Sequence, residues 1–278
     1  MKAYHLQHGI ALEQDNQLFF VAGENWNSFI NNDDALSQAE AWIKSGKATS
    51  TDKLDVARLK APIGNQQELW ACGVTYLRSK IGRQEESKDS GGADFYAKVY
   101  EAERPEVFFK ATPHRVVGHG EKVRIRKDST WDVPEPELTL VVTSSGKIIG
   151  YTVGNDMSSR SIEGENPLYL PQAKTYDACA AVGPCVYLTA TPLSKVTTIS
   201  LAIHRAKELA FEGSIALSQM KRSPEELVSF VFREASFPFG CLIMTGTGIV
   251  PDSSFTLKSG DEISITIESI GTLVNIVA

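Results

Sequence analysis

The sequence predicts an α+β fold that is mainly β. A small N-terminal α+β domain spans residues 1–65, and a larger domain spans residues 66–278. Three observations predict it. Short apolar runs bounded by turn residues recur along the chain and outnumber amphipathic helical patterns. A length of 278 residues suits one large domain plus a small one and buries roughly three quarters of the unfolded surface without staples. No internal repeat or low-complexity segment interrupts the text. The expected architecture is compact, mainly antiparallel, with flanking helices.

In the first 60 residues, Gln17–Ala22 (QLFFVA) is a short strand. Asp33–Ser45 carries a helical pattern, with Asp at its start and Gly46 behind it. Glu68–Tyr76 (ELWACGVTY) is a core strand ending in a Gly-containing turn. Leu77–Tyr100 is polar, with Gly82, Gly91 and Gly92, and is either a lid over a site or an ordinary surface excursion. Within it, Asp94–Glu103 fits a helix stopped before Pro105. Val107–Ala111 is a strand, and Val116–Arg126 a turn followed by an alternating strand. Glu137–Thr143 and Ile148–Gly154 form a hairpin around Ser144-Ser145-Gly146. Val182–Leu188 and Val196–His204 are further strands. Ser223–Ala235 is a helix, with Ser223 as N-cap and Pro224 at its first position. Leu242–Val250 is apolar and Gly-rich, and Asp261–Ile267 and Leu273–Val277 complete the chain as strands.

Composition narrows the function. Charged residues make up 22% and hydrophobic residues 42%, ordinary for a soluble globular protein. A net charge of −6 without a basic stripe disfavours nucleic acid and anionic membranes. Cys72, Cys179, Cys185 and Cys241 form no CxxC pair and lie in apolar contexts, which fits a reducing cytoplasm. The first residues lack a signal-peptide core, and no apolar run nears the ~20 residues of a membrane span.

The chemistry concentrates between Arg104 and Val182. Glu135 and Glu137 stand two apart, ahead of and on an apolar run. On a strand, residues two apart share a face. That spacing also describes the wet face of a half-buried strand. Two details favour a site. Leu138–Val142 is continuously apolar, so the strand is covered on both sides, and Pro136 marks a strand start, edge or bulge. Asp156 ends the next apolar run; a turn or cap role is the competing reading. Three converging oxygens suit a hard divalent cation, Mg²⁺ or Mn²⁺. Lys174 precedes the small-residue run ACAAVG; it is either a surface lysine or partly buried there, and burial would lower its pKa toward that of a base. Gly246-Thr247-Gly248 offers backbone donors to an anion, or is only a tight turn.

These pieces, in order, resemble the fumarylacetoacetate hydrolase superfamily. The likeness runs from about Trp70 onward. It rests on Glu135-Pro136-Glu137-Leu138, GYTVGNDMSSR at Gly150–Arg160, Lys174 before AVGP, MTGTG at Met244–Gly248, and the ending SGDEISITIESIGTLVNIV. The resemblance implies a mixed β-sandwich roll and a homodimer or higher homo-oligomer. It implies Glu135, Glu137 and Asp156 as metal ligands, Lys174 as the active-site lysine, and Thr247 as a contact to the substrate carboxylate.

The chain departs from the hydrolase pattern after its first core strand. Carbon–carbon hydrolases of the family often carry G-x-N-Y-x-x-H-x-x-E there. Here Ser79 holds the His position and Gly82 the Glu position, so a water-activating base is missing unless Glu85 or Glu86 supplies it. ERPEVFFKAT at Glu103–Thr112 and NPLYLPQAKTYDACAAVGP at Asn166–Pro184 resemble the branch of 2-keto-3-deoxy sugar-acid dehydratases. That branch implies a Mg²⁺-dependent hydro-lyase acting on a small 2-keto acid, a pentonate of the D-arabinonate series, with 2,5-dioxopentanoate as product. Lys174 would take the C3 proton and Glu106 serve as acid or base at the C4 hydroxyl. Arg78, Ser79 and Lys110, with Thr247, would contact substrate. Acylpyruvate hydrolysis, 2-oxo-acid decarboxylation and a catalytically silent ligand-binding protein are the competing readings.

Overall fold

A computed structural model of the chain describes residues 1–86 and 93–278. The N-terminal segment contributes β1 (Lys2–Leu6), β2 (Gly9–Gln14), β3 (Gln17–Ala22), helices α1 (Trp26–Ile30) and α2 (Ala35–Lys44), and β4 (Thr49–Thr51). Next come β5 (Glu68–Gly73), α3 (Leu77–Glu86), α4 (Ala93–Glu101), β6 (Glu106–Ala111), β7 (Val116–Val117) and β8 (Lys122–Val123). The long strands β9 (Asp132–Val142) and β10 (Ile148–Ser159) follow, then α5 (Arg160–Glu165), α6 (Leu170–Lys174) and β11 (Ala180–Leu188). The chain ends with β12 (Thr198–Arg205), β13 (Glu208–Ala216), α7 (Pro224–Val231), β14 (Cys241–Met244), β15 (Glu262–Ile267) and β16 (Gly271–Val277).

Two sheets result. The larger runs β4-β3-β2-β1-β11-β10-β9-β14-β5-β6, with β7 joined to β11. The smaller runs β13-β12-β15-β16-β8. Most pairs are antiparallel; β14 with β5, β11 with β7 and β16 with β8 are parallel. The expected mainly β, mixed two-sheet fold is therefore present. Residues 1–65 extend the larger sheet through the β1–β11 pairing.

The centre of the large sheet is buried on both faces, which explains the unbroken apolar text of β9 and β10. On one face Leu138, Leu140 and Val153 pack against Leu201, Ile263, Ile265 and Leu273 of the smaller sheet. On the other, Val141 and Leu242 join Trp26, Phe29 and Trp42 of the N-terminal segment. Each such side chain contributes roughly 1.5–3 kcal/mol on burial. The N-terminal segment also caps the β9–β10 turn. Asp33 accepts from Thr143 Oγ1 at 2.5 Å and Ser145 Oγ at 2.9 Å, and Lys147 Nζ donates to its carbonyl at 2.7 Å.

Several elements differ from expectation. β9 and β10 each run past the expected hairpin, so Asp156 lies inside a strand and not in a turn. Tertiary pairing overrode the local Pro and Gly signals. β1 and β2 escaped notice because their apolar runs are only a few residues long and set in polar text. The expected strand over Val116–Arg126 is reduced to two-residue pieces, β7 and β8. α7 ends at Val231, although Ser223 caps it as expected, accepting from the Glu226 N–H. Part of the expected lid, residues 87–92, lies outside the described residues.

Candidate active site

Strand register assembles the site. Glu135 and Glu137 share a face of β9, and Asp156 sits directly opposite Glu135 on β10. Gly154 stands opposite Glu137, and a Cβ there would collide with Thr139 Oγ1. The three carboxylates each present an oxygen within 4.8 Å of the others, and all three residues are buried. Three strands along the sheet from β9, Glu106 of β6 pairs with Gly73 of β5. A Cβ on Gly73 would occupy the space of the Glu106 carboxyl, so glycine lets that carboxyl lie over the sheet.

Two lysines, both 0% exposed, enter this cluster. Lys174, at the end of α6, donates to Glu135 Oε2 at 2.7 Å, Asp156 Oδ2 at 3.0 Å and Ser158 Oγ at 2.6 Å. Lys110 of β6 stands 2.6 Å from Asp156 Oδ1 and donates to the Met157 carbonyl at 3.0 Å and to the Lys174 carbonyl. Arg160 Nη2 lies 2.5 Å from Glu135 Oε1, and Arg83 Nη2 lies 3.4 Å from the same oxygen. Arg83 also pairs with Glu163 of α5.

The electrostatics separate the carboxylates. Burial would push Glu135 up, but Lys174, Arg160 and Arg83 together hold it well below the usual carboxylate range. Burial, reinforced by the Asp156 and Glu135 charges, pushes Glu137 well above that range. No basic side chain among the described residues forms an ion pair with Glu137; its Oε2 accepts the Gly246 N–H at 2.6 Å. Burial also raises Glu106, with Arg83 and Lys174 acting in the opposite sense. Three carboxyl oxygens, that of Glu137 without an ion-pair partner among the described residues, form the donor set of a hard divalent cation.

The structure gathers most of the residues singled out in the sequence. Glu106, Lys110, Glu135, Glu137, Asp156 and Lys174 meet on one sheet face. Thr247 is buried in the turn after β14, where its Oγ1 accepts the Ile249 N–H at 3.2 Å. That turn does offer a backbone donor, but the acceptor is the Glu137 carboxyl of the protein itself. Ser79 is buried at the start of α3, donating to the Tyr76 carbonyl at 2.7 Å and accepting its N–H at 3.2 Å. Arg78 is exposed, with Asp252 as a charged neighbour. The side chains of Glu85 and Glu86 lie outside the described residues.

Sequence reasoning passed over Arg83, Ser158, Arg160 and Glu163. Arg160 stood in the GYTVGNDMSSR motif and Ser158 two residues from Asp156, so period-two counting from Asp156 would have reached Ser158. Arg83 and Glu163 gave no signal: each lies on a polar helix whose buried surface is itself charged.

The chain is similar to several known proteins. A "Probable 2-keto-3-deoxyxylonate dehydratase" from Haloferax volcanii is 52% identical over 213 residues, covering 75% of this chain and 71% of that protein. A "2-dehydro-3-deoxy-D-arabinonate dehydratase" from Saccharolobus solfataricus is 44% identical over 220 residues, covering 78% and 73%. A solved structure of "2-keto-3-deoxy-D-arabinonate dehydratase complexed with magnesium and 2,5-dioxopentanoate" superposes with a TM-score of 0.84 at 34% identity, covering 100% of this chain and 98% of that one. The family model "Fumarylacetoacetate (FAA) hydrolase C-terminal" matches residues 83–278, the stretch that holds all three carboxylates and both buried lysines. On that match and those identities, the chain belongs to the fumarylacetoacetate hydrolase family.

Proposed function

We propose that this chain is a Mg²⁺-dependent hydro-lyase that converts 2-keto-3-deoxypentonate to 2,5-dioxopentanoate and water. The observation that carries the reading is the common sheet face on which Glu106 and Lys174 flank the carboxylate cluster. Dehydratase names on relatives at 52% and 44% identity support it, as does the magnesium and 2,5-dioxopentanoate complex of a structural neighbour.

Glu135, Glu137 and Asp156 would hold the ion, which supplies Lewis-acid stabilisation of charge at the 2-oxo oxygen. The protein's own groups move the protons. Lys174 takes a proton from C3. Glu106, whose protonated form burial favours, gives one to the C4 hydroxyl as it leaves as water. The C3=C4 alkene that results becomes the product when one hydrogen moves from C5 to C3 and the C4=C5 enol ketonises. Atoms balance: the overall change is loss of one water. Each assisted proton transfer is worth roughly 10²- to 10⁴-fold.

The hydrolase reading requires a base for water at the start of α3. Ser79 stands there instead, its hydroxyl committed to the Tyr76 backbone. We also place the protein in the cytoplasm as a homo-oligomer. Its four cysteines are unpaired and buried, which suits a reducing compartment. No described helix is long and apolar enough to cross a membrane.

The test is formation of 2,5-dioxopentanoate from 2-keto-3-deoxypentonate with Mg²⁺, repeated across sugar-acid epimers. Absence of turnover on every 2-keto-3-deoxy acid refutes the reading. Glu135→Gln separates enzyme from binder: an enzyme loses turnover and Mg²⁺-dependent stabilisation together.

A further inference from the structure

Lys110 has a role that substrate contact does not explain. It is 0% exposed, on the site face of β6. An ammonium has three protons to donate and no acceptor capacity. Lys110 faces three acceptors: Asp156 Oδ1 at 2.6 Å, the Met157 carbonyl at 3.0 Å and the Lys174 carbonyl. No donor is left over for a substrate carboxylate or hydroxyl. The three acceptors come from two elements, β10 and the C-terminal end of α6.

We propose that Lys110 is a positioning residue that fixes the metal-ligand candidate Asp156 relative to the proton-acceptor candidate Lys174 without touching substrate. Lys174 itself reaches Asp156 through its ammonium, at the far end of a four-carbon stem. Lys110 grips the backbone of Lys174, the base of that side chain, and the side chain of Asp156. β6 thereby transmits the rigid geometry of the sheet to a residue at the end of a short helix. Removing the ammonium would free the Asp156 oxygen and two carbonyls together. Asp156 could then turn away from Glu135 and Glu137, and Lys174 could withdraw with α6.

This inference rests on the proposed dehydratase reading for its activity arm, but its metal arm stands alone. The variants are Lys110→Met and Lys110→Gln, measured in the full chain. The readouts are circular dichroism, thermal melting, Mn²⁺ binding followed by electron paramagnetic resonance, and kcat and KM for 2-keto-3-deoxypentonate. The expected result is a folded protein whose Mn²⁺ affinity falls about 10-fold or more, in the range seen for lost outer-shell partners of metal ligands. Turnover should fall at least as far, with KM within about threefold of wild type. Mn²⁺ affinity and kcat both within twofold of wild type would overturn the proposal. So would a loss confined to KM, which makes Lys110 a substrate contact. If neither variant folds, a wild-type crystal soaked with Mg²⁺ and pyruvate decides. Lys110 still bound to Asp156 and both carbonyls supports the role, and an Nζ within hydrogen-bond distance of the keto acid overturns it. Wild type that binds Mn²⁺ but dehydrates nothing refutes the dehydratase reading and leaves the metal arm intact.

Discussion

Glu137→Gln should separate cation binding from folding stability. Glu135 sits within 2.5 Å of Arg160 and 2.7 Å of Lys174, whereas Glu137 has no ion-pair partner among the described residues. Its one recorded hydrogen bond, from the Gly246 N–H at 2.6 Å, can be kept by a Gln carbonyl oxygen. Burial next to Asp156 and Glu135 already disfavours its charged form. The variant should therefore change metal-free stability by less than about 1 kcal/mol, or raise it, because a penalised buried charge disappears. Glu135→Gln, by contrast, leaves buried cations short of a partner and should cost about 3–5 kcal/mol. For the cation the two are alike, since each removes one of three anionic oxygens. A unit-charge pair at about 4 Å and an effective dielectric near 20 is worth about 4 kcal/mol. Either substitution should thus weaken Mg²⁺ binding by about two orders of magnitude or more. Melting each variant in EDTA and across a Mg²⁺ titration separates the two quantities. The reasoning fails if Glu137→Gln in EDTA melts as far below wild type as Glu135→Gln. It also fails if Glu137→Gln keeps the wild-type Mg²⁺-dependent rise in Tm.

Glu106→Gln should lower turnover by about 10²- to 10⁴-fold while leaving the Mg²⁺-dependent rise in Tm in place. Because burial raises Glu106 and its protonated form is the working one, wild-type turnover should decline as pH climbs through that raised value. The residual activity of Glu106→Gln should lack this limb in a steady-state pH profile. Gly73→Ala puts a methyl where the Glu106 carboxyl lies, so kcat should fall with Mg²⁺ affinity unchanged by calorimetry. Arg222→Ala removes donors to the Val99, Ala102 and Glu103 carbonyls at the end of α4; bonds to a charged donor are worth about 1.5–3 kcal/mol each. Urea unfolding should show about 3 kcal/mol lost, given partial rescue by water. Asp33 is held below its ordinary value by the Thr143 and Ser145 hydroxyls, so its contribution is present above an unfolded pKa near 3.8 and lost as pH falls through the folded value. Asp33→Asn should flatten the acid limb of the Tm–pH curve and leave neutral-pH turnover untouched.

Much of the site was legible because strands repeat every two residues. That period put Glu135 and Glu137 on one face before any coordinates, and the unbroken apolar run after them indicated cover on both sides. The partner across the ladder could not be read the same way. Whether Asp156 meets Glu135 or the solvent depends on the β9–β10 register, set by pairings such as Val153 with Leu138 and by an irregularity near Ile148. Lys110 shows the opposite failure. Its strand and its face were readable, but its chemistry was not, since substrate, Asp156 and a backbone carbonyl are equivalent acceptors to anyone holding only a sequence. Arg83 and Glu163 were hidden for a further reason. Hydrophobic periodicity finds buried helix faces only when they are apolar, and these faces are buried through charge pairing.

The contrast between strand-borne and helix-borne groups bears on how the site keeps its shape. Glu106, Lys110, Glu135, Glu137 and Asp156 all project from β6, β9 and β10, whose ladders fix each Cα against its neighbours. Lys174 projects from α6, a five-residue helix, far too short to be stable by its own hydrogen bonds. Its order must come from tertiary contacts. Thr175, the next residue, donates to the Lys110 carbonyl at 3.1 Å, while the Lys110 ammonium donates to the Lys174 carbonyl. The end of α6 is therefore held to β6 by two bonds of opposite direction, each from a side chain of one segment to a backbone carbonyl of the other. A reacting group needs placement within about 0.5 Å to be effective, a tolerance that a free loop does not meet. The reciprocal clasp between Lys110 and Lys174–Thr175 accounts for how a short helix can supply a side chain to a site otherwise built on strands.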